Sequence, residues 1–257
     1  MDIGESLFRG LRVDYTYLHP EVIAQKCTVE GKELRLNNEN NWEQYKVLIL
    51  PGGEVLSADV AARIREFWRA GGTVIATSKL PRYAAEAGRD QEIRDMVYEV
   101  FGMSDILPMT CSVRHASYRF LNIFSKTNDN GGRGYFIAKP YTSTLGDLIA
   151  EAVPVRDVDL GIAPDYYVKM DHDYDGAVTY IHKVRGGKDI YFIANSTAQP
   201  VSLNLQLRGR KGSVELWNPQ DGTRQAAAFK TEERKGGAVT ALPLEIPALN
   251  GMFVIAE

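Results

Sequence analysis

Cysteine is scarce: Cys27 and Cys111 are the only two in 257 residues. A pair so far apart makes neither a disulfide framework nor a zinc site, so buried free thiols are expected. No apolar run reaches membrane-spanning length. The opening MDIGESLFRG lacks a basic segment followed by an apolar one, so no signal peptide is visible. A cytoplasmic protein, or a piece of something longer, is the expectation. A basic excess is missing too: 30 Lys and Arg are scattered against 33 Asp and Glu, for a formal net charge of -3. That argues against nucleic acid as the main partner, because reading phosphates takes a cationic surface. The one short basic run, Arg-Gly-Arg-Lys at 208–211, reads as a solvated turn.

What is there is enough for a sizeable core: 44% of the residues are hydrophobic, which suits one large or two ordinary domains. The first half is organised around residues 45–78, YKVLILPGGEVLSADVAARIREFWRAGGTVIATS. Residues 46–50 are a short apolar run closed by Pro51-Gly52-Gly53, as for a strand buried on both faces. Ser57 is placed to cap a helix, with Asp59 in its first turn. Val60, Ile64, Phe67 and Trp68 form its apolar stripe, and Gly71 its left-handed end. Residues 73–76 then give a second buried strand, completing a parallel βαβ unit. Around it we expect a helix over 1–10, a strand over 13–18, a short helix begun by His19-Pro20-Glu21 and a hairpin turning at Glu30-Gly31. Beyond it we expect a helix over 90–101 ended by Gly102, a strand over 135–138 and a helix over 142–152. Residues 1–155 thus read as an α/β domain, an open parallel sheet of flavodoxin or class I amidotransferase type.

From about residue 157 the period falls to two and helices vanish. Val178, Tyr180, His182 and Val184 alternate with Thr179, Ile181 and Lys183, and Val201, Leu203, Leu205 and Leu207 with Ser202, Asn204, Gln206 and Arg208. Further strands are expected at 190–194, 213–217, 225–229, 239–246 and 252–256. Turn dipeptides stand at Asp175-Gly176 and Asp221-Gly222. Residues 156–257 therefore read as an all-β domain, a β-sandwich.

Catalytic motifs are sparse. Neither Pro51-Gly52-Gly53-Glu54 nor Thr77-Ser78-Lys79, at the strand ends where such sheets bind ligands, is a Walker loop or dinucleotide fingerprint. No Cys stands on an elbow between glycines, as amidotransferase chemistry requires, which leaves Ser78 as the alternative nucleophile. Asp171, Asp173 and Asp175 match the first half of a calcium loop, D-x-D-x-D-G, but His182 holds the position where the completing Glu belongs. An acidic hairpin tip is the plainer reading, and a calcium site completed from elsewhere is the other. His182 and Asn195 are candidate carbohydrate contacts beside Asp189 on two paired strands. A strand His is more often a hydrogen-bonded structural group than a general base. Tyr166, Tyr167, Tyr174, Tyr180 and Tyr191 could stack sugars, although strand packing is their commoner use.

Taken in order, FRGLRVDYTYLHPEVIAQKCTVEGKELRL, YKVLILPGG, IREFWRAGGTVIA, YIHKVRGGKDIYFIANSTAQPVSLNLQLRG and ELWNPQDG resemble the C-terminal half of large bacterial glycoside hydrolases. The closest likeness is to family 106, the α-L-rhamnosidases. Lys183 stands where the family pattern commonly has Arg. The resemblance implies a parent that hydrolyses O-glycosidic bonds with two carboxylates on an N-terminal (β/α)8 barrel, often with calcium. It implies a periplasmic or secreted location for that parent. No position here matches the family's catalytic carboxylates, so no catalytic residue is assigned. The expectation is a non-catalytic segment whose partners are a catalytic barrel, in the same or a neighbouring chain, and carbohydrate. A free-standing carbohydrate-binding or scaffold protein, and an amidotransferase-fold hydrolase, are the alternatives. No nucleic acid or membrane partner is expected.

Overall fold

The computed structural model describes residues 2–37, 42–103, 123–166 and 176–257. In chain order its elements are α1 (Ile3–Glu5), a π-helical turn (Ser6–Leu11), α2 (Pro20–Gln25), β1 (Cys27–Glu30), β2 (Glu33–Asn37), β3 (Trp42–Tyr45), β4 (Val47–Leu50), β5 (Val55–Leu56), α3 (Ala58–Arg69), β6 (Thr73–Thr77), β7 (Tyr83–Ala84), α4 (Asp90–Phe101), β8 (Ile123–Thr127), β9 (Arg133–Ile137) and α5 (Thr142–Ala152). Strands alone follow: β10 (Val158–Asp159), β11 (Val178–Arg185), β12 (Lys188–Asn195), β13 (Val201–Arg208), β14 (Val214–Trp217), β15 (Arg224–Ala226), β16 (Lys230–Arg234), β17 (Gly237–Ile246) and β18 (Asn250–Ala256). Contacts sort them into two compact units. One is Tyr17–Leu145; the other joins Met1–Thr16 to Gly146–Glu257. Among the described residues no helix is long and apolar enough to cross a membrane.

The first unit is α/β. Its four-stranded sheet has the order β4-β6-β9-β8, with β4, β6 and β9 parallel and β8 antiparallel at one edge. The βαβ unit stands as expected, except that β4 is an edge strand. Three of its four residues are therefore only partly buried, whereas β6 is buried throughout. Helices α3 and α4 supply Ile64, Phe67, Ile93, Met96 and Val100 to one core with Val74 and Ala76 of β6. They are joined at the surface by Arg65 and Arg69, which both donate to Glu99. Close packing needs glycine at Gly134 of β9, where a Cβ would stand 1.9 Å from the Val100 carbonyl oxygen of α4. Ser57 sits at the N-cap of α3, but the cap is made by Glu86, whose carboxylate accepts from the Ala58 N–H at 3.0 Å. The Glu30-Gly31 hairpin is present, and β3 extends it to the three-stranded sheet β1-β2-β3.

The second unit carries two antiparallel sheets, β10-β13-β17-β16 and β11-β12-β18-β14-β15. Leu203, Leu205, Leu207, Leu242 and Leu244 from one meet Tyr180, Tyr191, Ile193 and Val254 from the other in a single buried core. This is the sandwich, with nine strands among its described residues. The strand expected at 225–229 is instead two, β15 and β16, parted at residues 227–229.

Two further expectations change. Residues 13–18 are not a strand. Arg12 turns the backbone left-handed (φ 51°), and the Asp14 N–H is satisfied by the Tyr180 hydroxyl at 3.3 Å instead of by a ladder. Residues 1–16 also group with the sandwich rather than with the α/β unit into which a 1–155 domain would put them. The Leu11 carbonyl accepts from Arg156 at 3.0 Å and the Gly10 carbonyl from the Asp165 N–H at 2.9 Å. Backbone groups of the opening turn are thus satisfied by residues more than 140 positions away in the chain.

Candidate functional site

At the carboxyl ends of the parallel strands, Gly52 (φ 86°) lies so close to the end of β6 that a Cβ there would stand 2.9 Å from the Thr77 carbonyl oxygen. Ser78 follows with a left-handed backbone, φ 63°. That strain is what a nucleophile elbow would show, but the groups around it are already engaged. The Ser78 N–H donates to the Ile137 carbonyl at 2.8 Å and the Lys79 N–H to the Thr77 carbonyl at 2.6 Å. Neither is left to stabilise an oxyanion. No hydrogen bond joins the Ser78 hydroxyl to a histidine among the described residues. Cys27 is buried; burial pushes its thiol up, outweighing the nearby charge of Arg63, the reverse of an activated nucleophile. Cys111 lies outside the described residues, as do Asp171, Asp173 and Asp175 with the calcium question they raise. Among the described residues no three His, Cys, Asp or Glu gather as metal ligands.

The sandwich holds a denser arrangement. β11 and β12 pair with His182 opposite Tyr191, and the two rings stack at 4.1 Å, 19° apart. The diagonal neighbour on the same face is Asp189. His182 Nε2 faces Asp189 Oδ1 at 2.9 Å, and Nδ1 faces Asp157 Oδ2 at 2.7 Å. A carboxylate at each ring nitrogen requires a proton on both, which is the imidazolium. Burial draws the His182 pKa down most strongly, but the hydrogen bonds and charges of Asp157 and Asp189 together outweigh it and hold the pKa above the ordinary histidine value. Burial likewise pushes Asp157 up, yet His182, Arg208 and Lys211 together hold it below the usual carboxylate range. Arg208 donates to the other Asp157 oxygen at 2.9 Å, and Lys211 to the other Asp189 oxygen. The result is a chain of alternating charge, Arg208–Asp157–His182–Asp189–Lys211, drawn from both sheets at one end of the sandwich. Both nitrogens of His182 are committed, so it has no lone pair to offer as a general base.

The basic run at 208–211 is accordingly not a solvated turn throughout. The Lys211 side chain is only 11% exposed, while Arg210 stays on the surface with Glu233. Asp157 and Lys211 escaped the sequence reading because nothing in their spacing points to His182. Asn195 is 1% exposed. Its Nδ2 donates to the Gln199 and Pro247 carbonyls at 2.8 and 3.0 Å, and its Oδ1 accepts from the Thr197 hydroxyl and N–H at 2.7 and 3.0 Å. It is a fully satisfied turn lock. Tyr180 and Tyr191 are core residues, whereas Tyr166 is exposed; Tyr167 and Tyr174 lie outside the described residues.

A family model for glycoside hydrolase 106, described as alpha-L-rhamnosidase, matches residues 10–231. The chain belongs to this family. A rhamnosidase from Novosphingobium sp. PP1Y superposes with a TM-score of 0.62 at 17% identity, covering 96% of this chain and 20% of that one. A β-galactosidase from Bacillus circulans sp. alkalophilus does so with a TM-score of 0.51 at 17% identity, covering 83% of this chain and 33% of that one. At such identities the likeness is one of fold. A curated protein of Formosa agariphila, provisionally named a beta-glucuronidase, is 28% identical over 87 residues, which is 34% of this chain and 7% of the relative. This family 106 chain thus spans a fifth of the rhamnosidase and a third of the β-galactosidase.

Proposed function

We propose that these 257 residues are a non-catalytic accessory segment of a bacterial α-L-rhamnosidase-like glycoside hydrolase. They buttress a catalytic barrel that lies outside them, in the same or a neighbouring chain. The observation that carries this reading is coverage: almost the whole of this chain superposes on one fifth of a rhamnosidase. The state of the polar groups agrees with it. The one described histidine at a buried polar cluster is bonded through both nitrogens, and the backbone donors at Ser78 are taken. In this role the α/β unit carries its open, mostly parallel sheet of amidotransferase type as a scaffold, and the charge chain at His182 fixes one end of the sandwich.

Assay of the purified chain on an aryl α-L-rhamnoside tests this. The expected result is no turnover above buffer. Turnover that survives repurification, and that falls on substituting a residue of this chain, overturns the accessory reading.

A further inference from the structure

The outer face of the five-stranded sheet carries a groove of about 440 Å³, open to solvent. Its volume falls within the ~300–1,000 Å³ of small-molecule sites. Phe192 is on that face, tilted against Phe253 with ring centroids 4.8 Å apart. Its ring lies down over β18 because residue 251 is glycine, where a Cβ would stand 2.5 Å from the Phe192 ring. The floor is thus an aromatic ring beside bare backbone.

Both walls are preorganised. On one side Pro219 and Gln220 ride a turn tied by Asn218 and Asp221. Asn218 Oδ1 accepts from the Gln220 N–H at 2.9 Å, and Asp221 Oδ1 accepts from the Thr223 N–H at 2.8 Å. On the other side Leu249 is 74% exposed yet held at φ 53°, its N–H donating to the Thr197 carbonyl at 3.1 Å. Asn250 follows; its Oδ1 accepts from the Gly251 N–H at 2.7 Å, which orients the Nδ2 donors away from that bond. Asn195 locks the turn beneath. Among the described residues the groove lining bears no charged side chain. It presents an aromatic face, a leucine edge and the neutral amides of Gln220 and Asn250.

We propose that this groove is a binding site for a neutral pyranoside. A pyranose ring has a face of C–H bonds that fits an aromatic floor, and equatorial hydroxyls that both donate and accept. Side-chain amides offer both partners at once. A carboxylated sugar would bring a charge to a lining that, among the described residues, offers no cation to pair with it. The site is separate from the charge chain at His182 and is independent of where catalysis occurs. It would hold a substrate chain against the accessory segment.

The test is a titration of the ¹⁵N-labelled full chain with methyl α-L-rhamnopyranoside, methyl β-D-glucopyranoside, sodium D-glucuronate and a proline-rich peptide. At least one neutral glycoside is expected to give saturable shifts at Phe192, Gln220, Asn250 and Gly251, with a Kd of about 1–10 mM, the regime of about −3 to −4 kcal/mol. Phe192→Ala should weaken binding about tenfold, the loss of about 1.4 kcal/mol. Gln220→Ala, on an exposed turn and safe for folding, should weaken it about threefold. The inference is overturned if no neutral glycoside saturates these amides. It also fails if glucuronate binds as well as they do, if the peptide alone occupies the groove, or if neither variant changes the affinity. None of those outcomes bears on the accessory reading, which rests on turnover.

Discussion

Strand β6 in the α/β unit is buried at all five residues, whereas β13 in the sandwich is buried only at Leu203, Leu205 and Leu207 and turns Ser202 and Asn204 to the surface. The first has parallel neighbours on both sides and helices against the sheet; the second has one covered face. A strand covered on both faces places itself by unbroken apolarity, and a strand covered on one face by parity. The same contrast governs polar groups. At the ends of the parallel strands, backbone N–H groups are consumed by nearby carbonyls. At the end of the sandwich, charged side chains from both sheets consume one another.

The largest effect should come from glycine, and it tests whether the two units are equally tight. In β9 a Cβ at Gly134 meets backbone of α4 that cannot swing aside, while at Gly251 of β18 it first meets the Phe192 ring, which can. Gly134→Ala should lose about 3 kcal/mol or more in urea unfolding, and Gly251→Ala about half that. Equal losses would erase the difference between the sheets. Next in size is parity within β13. Leu205→Ala should cost about 3 kcal/mol, and Asn204→Ala no more than about 0.5 kcal/mol. A comparable cost at Asn204 would mean that the outer face is covered after all.

The smallest effect is the most diagnostic. The raised His182 pKa makes its contribution complete below the ordinary histidine value of about 6.5 and loses it as pH rises through the raised value. The lowered Asp157 pKa makes its contribution complete above the ordinary value of about 3.9 and loses it as pH falls through the lowered one. His182→Gln should therefore cost about 1–2 kcal/mol near pH 6, with the gap to wild type narrowing as pH rises through the raised His182 value. A gap that stays constant across that range would assign the role of His182 to its stacking on Tyr191 rather than to charge.

Much of the fold was legible. The helix over 90–101 ends at Gly102 (φ 73°) as its sequence asks, α5 matches 142–152, and the βαβ unit around α3 stands where its apolar periods put it. These elements are read from spacing, and spacing is local. The misreading at 13–18 has a cause of the same kind. Val13, Tyr15 and Tyr17 alternate as a strand would, but alternation supplies no ladder partner, and Arg12 leaves the helical turn left-handed. The small pairings β5–β7 and β10–β13 were invisible for want of length, having two residues each. Of the candidate site, His182, Asp189 and Asn195 were marked from the β11–β12 pair, but their roles were not.

By itself the sequence determined the two kinds of strand, the helices with their glycine ends, and membership of a glycosidase family, because periodicity, caps and motif order are written along the chain. Only the tertiary structure decided that residues 1–16 join the sandwich, that Asp157 reaches His182 from 25 positions away, and that Phe192 lies over Gly251. Those outcomes depend on which strands become neighbours. Sheet order, unlike period, is a property of the whole packed chain.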